Sequence, residues 1–551
     1  MSPDDVATVD FAEIERWRAA GRPHAFIDVR ERGEYALGQI PGGCPLPRGL
    51  LEILMERLVP WKHLPVVLYS SGEYRSRRAA MTCLELGYQD VRVLAGGLEA
   101  WSAGGREPAY GVNVLGKTFG EALSVTDQVH QVDPGELAGL IEEGVLILDA
   151  RTKSEYEKGH IPGAVHVPGG EIVPRALRAG LDAQTRKQPI VVHCAGRTRS
   201  ILGAYVLSQA GLADVHALRN GTMAWVMSGR ELESEGRNEL PALARVPAAE
   251  AAAKADRFAE DFVRGTSARP LTATALRSLL ERECVYLVDV RLEEEFEEAH
   301  LPVALSCPAG QLANAVDEFL PVRDAHLVCY SSGQTRARIG AALLSRIGYR
   351  TVWWLEGGLS AWRDDGLPVE TGPPERYLDD LDFLDGATPS MRPEEAARAL
   401  SAGAVLVDVR RSSEYALCHV PGSVWIPRGD LERRAGKALP KDQFVMVLSD
   451  RMLRSALAAR TLRDLGYDYA VLDGGLTTWL AEGWPTEEGL KGANVSLQEA
   501  KVDAELVAAR PNILERSRED MERYLEWEER LGIELSRGQA HQEVTEEDRQ
   551  P

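Results

Sequence analysis

One sequence pattern occurs four times along this chain, so any fold it adopts must be built from four copies of a single unit. Each copy begins with an apolar strand ending in Asp-x-Arg, at Phe26-Ile-Asp-Val-Arg30, Leu146-Ile-Leu-Asp-Ala-Arg151, Leu287-Val-Asp-Val-Arg291 and Leu406-Val-Asp-Val-Arg410. An acidic-aromatic pair follows: Glu34-Tyr35, Glu155-Tyr156, Glu295-Phe296 or Glu414-Tyr415. A turn comes next, at Gln39-Ile-Pro-Gly42, His160-Ile-Pro-Gly163, His300-Leu-Pro-Val303 and His419-Val-Pro-Gly422. Then a second apolar strand leads through a short loop to Arg75, Arg199, Arg336 or Arg454 and into a helix that closes near Gly87, Gly211, Gly348 or Gly466. A third strand reaches Gly96-Gly97…Trp101, Asn220-Gly221…Trp225, Gly357-Gly358…Trp362 and Gly474-Gly475…Trp479. Short apolar strands alternating with amphipathic helices predict an α/β unit with a parallel sheet covered on both faces.

The pattern predicts four tandem doubly wound domains, at 1–122, 123–241, 267–376 and 385–488, with a helical linker at 242–266 and a helical C-terminal tail at 489–551. Successive Asp-x-Arg aspartates are 121, 140 and 119 residues apart, and the longer middle step falls in the helix-favouring stretch around Ala249–Glu260. The simplest reading pairs the first unit with the second and the third with the fourth. In the tail, Leu514–Glu534 is charged and helix-favouring, with Met521, Tyr524, Leu525 and Leu531 on one face. Such a helix packs on its own domains or joins a partner, including a second copy of the chain. Its acidic end, Gln542–Pro551, reads as disordered.

A formal charge of −21 argues against nucleic acid or an anionic membrane surface as partner. Seven cysteines in 551 residues, with no CxxC spacing, argue against a disulfide framework or a zinc site. The acidic start lacks the features of a secretory signal, and no apolar run approaches the roughly 18 residues of a membrane span. The chain reads as cytoplasmic.

Chemistry concentrates in Pro189–Gly203, where an apolar strand meets a cationic loop that opens a helix. Cys194 stands at that turn, and the helix's free N–H groups and positive end, with Arg197 and Arg199, favour its anionic thiolate. Ala195 and Gly196 are small enough for backbone amides to approach a bound anion. Thr198 offers a hydroxyl, Arg199 holds the loop or grips an oxyanion, and Arg197 is the expected direct contact to substrate charge. Ser70, Ser331 and Ser449 occupy the equivalent position elsewhere, and a serine hydroxyl without a dedicated base is a poor nucleophile. Cys329 falls inside a strand; Cys44, Cys83, Cys307 and Cys418 read as packing residues, with a resolving role toward Cys194 left open; the acidic neighbours Glu281 and Glu283 suggest an inert Cys284. Asp149 and Arg151 recur as a pair in every unit, with or without the cysteine, as do His160, His300 and His419 in theirs, which marks them as supporting the fold.

Taken in order, Asp-x-Arg, Glu-Tyr, His-Ile-Pro-Gly, Cys-Ala-Gly-Arg-Thr-Arg-Ser and Gly-Gly-x-x-x-Trp resemble the rhodanese sulfurtransferases, over nearly all of residues 8–488. The resemblance implies the rhodanese fold, sulfur carried as a persulfide on Cys194, and no metal or organic cofactor. The two loop arginines, Arg197 and Arg199, favour a dianionic donor, thiosulfate before mercaptopyruvate, with cyanide or a thiol, free or on a protein, as acceptor. The chain also resembles tandem sulfurtransferases in which an inactive first unit accompanies an active second. Two alternatives remain: a persulfide sensor or scaffold with binding-only repeats, and a cysteine-dependent phosphatase or arsenate reductase. Against the phosphatase, only four residues separate Cys194 from Arg199, where that family has five.

Overall fold

The computed structural model describes residues 2–126, 128–181, 188–234, 240, 247–373, 388–450, 452–490, 517–519 and 521–532. The expected disordered end, Gln542–Pro551, lies outside them. Each repeat forms a five-stranded, all-parallel sheet. In the second repeat the strand order across the sheet is His130–Val132, Val215–Leu218, Ile190–His193, Leu146–Asp149, Val165–His166. The other three sheets keep this order. Leu146–Asp149 and Ile190–His193 are buried at every position, as continuous apolar strands in a two-sided parallel sheet should be. Their carboxyl ends, where ligands bind in open α/β sheets, deliver Asp149 and Cys194 to one edge.

The repeated motifs close each domain in the same way. The Gly-Gly…Trp helix ends with the indole N–H donating to a carbonyl six residues on, at Glu107, Glu231, Pro368 and Pro485. His160, His300 and His419 stack on Tyr156, Phe296 and Tyr415 with ring centroids 3.7–3.9 Å apart, and each turn pairs with the residue two after that carbonyl, as His160 does with Glu233. These histidines support the fold, as their recurrence predicts.

The repeats assemble into two compact units that are nested in sequence. One comprises Met1–Gly111 and Glu375–Ala508, the first and fourth repeats; the other comprises Val112–Pro374 and Ala509–Pro551, the second and third with the added helical segments. This corrects the expected pairing of neighbours. The helix Val114–Val125 crosses the expected boundary at 122 and packs on the helices Thr198–Gln209 and Ala309–Ala315. The middle connector is no free spacer either: its helix Ala248–Val263 lies against Ile172–Arg178 of the second repeat and Thr335–Ile347 of the third.

Within each unit, the two repeats meet through the same Pro-x-Gly segment. A Cβ on Gly310 would stand 2.9 Å from Gly169 Cα, and one on Gly49 would stand 3.0 Å from the Gly429 nitrogen. The first and fourth repeats add a charged exchange, in which Arg428 grips Glu52 with two nitrogens at 2.6 and 2.9 Å while Arg48 reaches Glu432 at 3.0 Å and Glu52 at 3.2 Å. Burial pushes the Glu52 carboxyl up, but Arg428 and Arg48 outweigh it and hold it at about 2. Glu52→Ala therefore takes from the buried Arg428 its carboxylate partner and leaves Arg48 with Glu432 alone. We expect it to lower the stability of this unit by about 3 kcal/mol or more. Scanning calorimetry should show one transition moving down and the other unmoved; an unchanged trace would mean that the exchange does not hold the pair.

Candidate active site

The loop at Cys194 is fixed from below by the helix Gly221–Met227. The backbone N–H groups of Thr222 and Met223 donate to the carbonyls of Cys194 and Ala195 at 2.8 and 3.1 Å, and the Thr222 hydroxyl adds a 2.9 Å bond to Cys194. Gly221, at φ +51, makes this approach possible, since a Cβ there would lie 2.3 Å from the Cys194 oxygen and 2.6 Å from that of Gly196. On the other side the loop opens the helix Thr198–Gln209, whose first-turn amides have no intrahelical acceptor. Cys194 Sγ lies 3.6 Å from the Ser200 hydroxyl, which itself donates to the Arg197 carbonyl at 2.6 Å.

Both loop arginines are already partnered. Arg199 donates to the two oxygens of Glu155 at 2.8 Å each, and although burial pushes that carboxyl up, Arg199 outweighs it and holds it at about 2. The same bond recurs between Arg75 and Glu34, Arg336 and Glu295, and Arg454 and Glu414. Of the two roles open to Arg199, holding the loop is the one this pairing shows. Arg197 corrects an expectation: it does not face open space. It is 5 % exposed, grips Glu121 at 2.6 and 2.8 Å, and reaches Asn220 at 2.9 Å and Glu529 at 3.1 Å.

Asp149 and Arg151 form a buried pair, with Arg151 Nη2 2.6 Å from one carboxylate oxygen and 2.7 Å from the Gly159 carbonyl. They tether strand to turn. His193 is fully buried, with Nε2 3.5 Å from Asp149. Burial lowers its pKa and Asp149 opposes this, leaving the imidazole at about 4. Burial pushes the thiols of Cys83 and Cys329 up to about 12 and that of Cys307 higher still. Cys284 rises to about 11, chiefly through burial and only then through Glu283, so desolvation rather than acidic neighbours is its main cause. In the serine repeats, Ser70 and Ser331 donate to the carbonyls of Gly72 and Gly333 at 2.7 and 3.0 Å, and Ser449 to Asp450 at 2.8 Å.

The C-terminal helix, described over residues 521–532, lies on this same loop. Met521 and Leu525 pack with Met223, Ala195 and Met227, which buries the apolar face that the sequence left open to a partner or a second copy. Thr198 donates its hydroxyl to Glu528 at 2.6 Å. Cys194 is 2 % exposed. The sequence reading missed Glu121, Asn220 and Glu528; of these only Asn220 carried a signal, because it breaks the Gly-Gly motif in the one repeat that has the cysteine.

The rhodanese-like domain family matches residues 10–104, 133–228, 272–365 and 392–482. The chain belongs to this family. A thiosulfate sulfurtransferase from Pseudomonas aeruginosa, solved by crystallography, shares the fold with a TM-score of 0.80 at 30 % identity, covering 97 % of this chain and 98 % of its own. The thiosulfate sulfurtransferase GlpE of Pseudomonas fluorescens is 34 % identical over 96 residues, covering 17 % of this chain and 83 % of GlpE. SseB of Mycobacterium tuberculosis, provisionally named a thiosulfate sulfurtransferase, is 31 % identical over 209 residues, covering 29 % of this chain and 70 % of SseB. These likenesses support sulfur transfer as the general chemistry of this rhodanese chain.

The buried imidazole yields a prediction. The unfolded chain takes up a proton at His193 near pH 6.5 that the folded chain refuses until about pH 4, so stability present above pH 6.5 falls on acidification. Between pH 7.5 and 5 this group alone costs about 2 kcal/mol. Denaturant midpoints of the His193→Asn variant should fall less over that interval than those of wild type; parallel curves would place the proton elsewhere.

Proposed function

We propose that this chain is a thiosulfate sulfurtransferase in which the second repeat alone performs the chemistry. One observation carries the proposal: the same strand, loop and helix are built four times, and a thiol stands at the loop position only at Cys194. The Cys194 thiolate attacks the outer sulfur of thiosulfate. A new S–S bond forms, the donor's S–S bond breaks, and sulfite leaves with the electron pair. The persulfide's outer sulfur then passes to cyanide, giving thiocyanate, or to the thiolate of an acceptor, giving its persulfide; Cys194 is regenerated as thiolate in both cases.

The environment suits an anionic donor and an anionic persulfide. Ala195 and Gly196 leave the loop backbone uncovered by bulk, Thr198 offers a hydroxyl, and the first-turn amides add positive partial charge. Arg197 and Arg199 act through position, fixing the loop through Glu121 and Glu155. Seven cysteines in 551 residues, with no CxxC spacing, fit the reducing interior of a cell, which is where we place the enzyme. The burial of Cys194 favours one second reading, a persulfide sensor that loads sulfur but turns over poorly with every small thiol.

The test is a thiosulfate:cyanide assay run on wild type and Cys194→Ser in parallel, with mass spectrometry of the Cys194 peptide after thiosulfate treatment. We expect one added sulfur atom on the wild-type peptide and thiocyanate formation that disappears in the variant. Equal rates from the two proteins would overturn the assignment.

A further inference from the structure

We propose that the C-terminal helix is a built-in competitor of the sulfur donor, with the carboxylate of Glu528 occupying the donor's anion subsite on the Cys194 loop. This rests on the sulfur-transfer reading above. Glu528 is 1 % exposed, takes the Thr198 hydroxyl at 2.6 Å on one oxygen, and places the other 3.1 Å from where a Cβ on Gly196 would lie. The group that Thr198 and Gly196 would present to a small oxyanion is thus covered by an oxyanion from the chain itself. Tyr524 and Leu525 close over Gly196 from the same helix, at 3.3 and 3.7 Å from that Cβ position.

The docking is specific yet poised to reverse. Glu529 reaches Arg197 at 3.1 Å and Asn220 at 3.3 Å, and the Lys117 ammonium lies 4.6 and 4.3 Å from the ring centres of Tyr524 and Trp527. Against these contacts, Glu529 shares the Arg197 guanidinium with Glu121, Glu528 and Glu529 both repel the Glu121 carboxylate, and the second oxygen of Glu528 is buried without a hydrogen-bond partner among the described residues. A buried oxygen left in that state favours release into water. The third repeat offers a comparison: Thr335, at the position of Thr198, donates to Asp256 on the connector helix. In both repeats a helix from outside the rhodanese domain sets a carboxylate on this threonine, and only in the second does it cover a thiol.

The experiment uses the full chain as wild type, Leu525→Glu, which disrupts the apolar contact, and Glu528→Ala, a milder change that clears the subsite whether or not the helix leaves. Two rates are read on the Cys194 peptide by mass spectrometry: alkylation by iodoacetamide and sulfur loading at limiting thiosulfate. Both variants should load sulfur at least about tenfold faster than wild type, as when a tenth or less of the molecules are open, and Leu525→Glu should alkylate faster by a similar factor. Loading that is unchanged or slower in Glu528→Ala overturns the competitor proposal, whether or not Leu525→Glu folds. If no protein loads sulfur but alkylation rises in the variants, the covering role stands and the choice of donor fails. If alkylation is also unchanged, the covering role is overturned.

Discussion

A buried ion pair at the end of the strand beside the central one underlies each quarter of this molecule. Asp28, Asp149, Asp289 and Asp408 are all fully buried, and each receives the backbone N–H and the side chain of the arginine two residues on. A carboxylate and a guanidinium withdrawn from water are tolerated only when their hydrogen-bonding groups find partners. The arginine meets that need by donating also to a carbonyl eight residues ahead, at Gly38, Gly159, Ala299 or Cys418. Strand, turn and the short acidic-aromatic helix between them are thereby locked together, and the adjacent strand, which in the second repeat leads into the Cys194 loop, is registered against them, as Ala150 N–H to the His193 carbonyl shows at 2.9 Å.

On this common frame the second repeat differs in a few connected places. Cys194 replaces serine, and His193 stands where the first and third repeats have Tyr69 and Tyr330, whose hydroxyls accept from Ile40 and Leu301. Asn220 replaces glycine at a left-handed backbone position, with φ +59, and its side chain accepts from Arg197. Asparagine tolerates that conformation better than other non-glycine residues. The exchange gives Arg197 an anchor that the glycine of the other repeats could not provide.

The fourfold repeat, the parallel sheets, the single loop cysteine and the Asp149–Arg151 ion pairing were all legible in the sequence, because each is a local pattern of a few residues. Partner choice was not. Gly169-Gly170 and Ala309-Gly310 are small and neutral, while Arg48-x-x-x-Glu52 and Arg428-x-x-x-Glu432 are matched charges, so like segments join like. That chemistry lies in the chain, but spacing along the chain points to neighbours instead. The role of Arg197 escaped for a similar reason: its partner Glu121 lies 76 positions upstream in a helix outside the repeat.

Nesting of the pairs bears on how the protein is made. The second and third repeats follow one another from the ribosome and find each other at once. The first repeat must wait for the fourth, because Glu52 and its partner Arg428 are 376 residues apart. At roughly 5–20 residues per second of synthesis, that wait lasts on the order of 20–75 seconds. Throughout it the face bearing Arg48 and Glu52 stays open to water. A surface of paired opposite charges suits such a delay, since it remains hydrated and does not adhere to other nascent chains as an apolar one would.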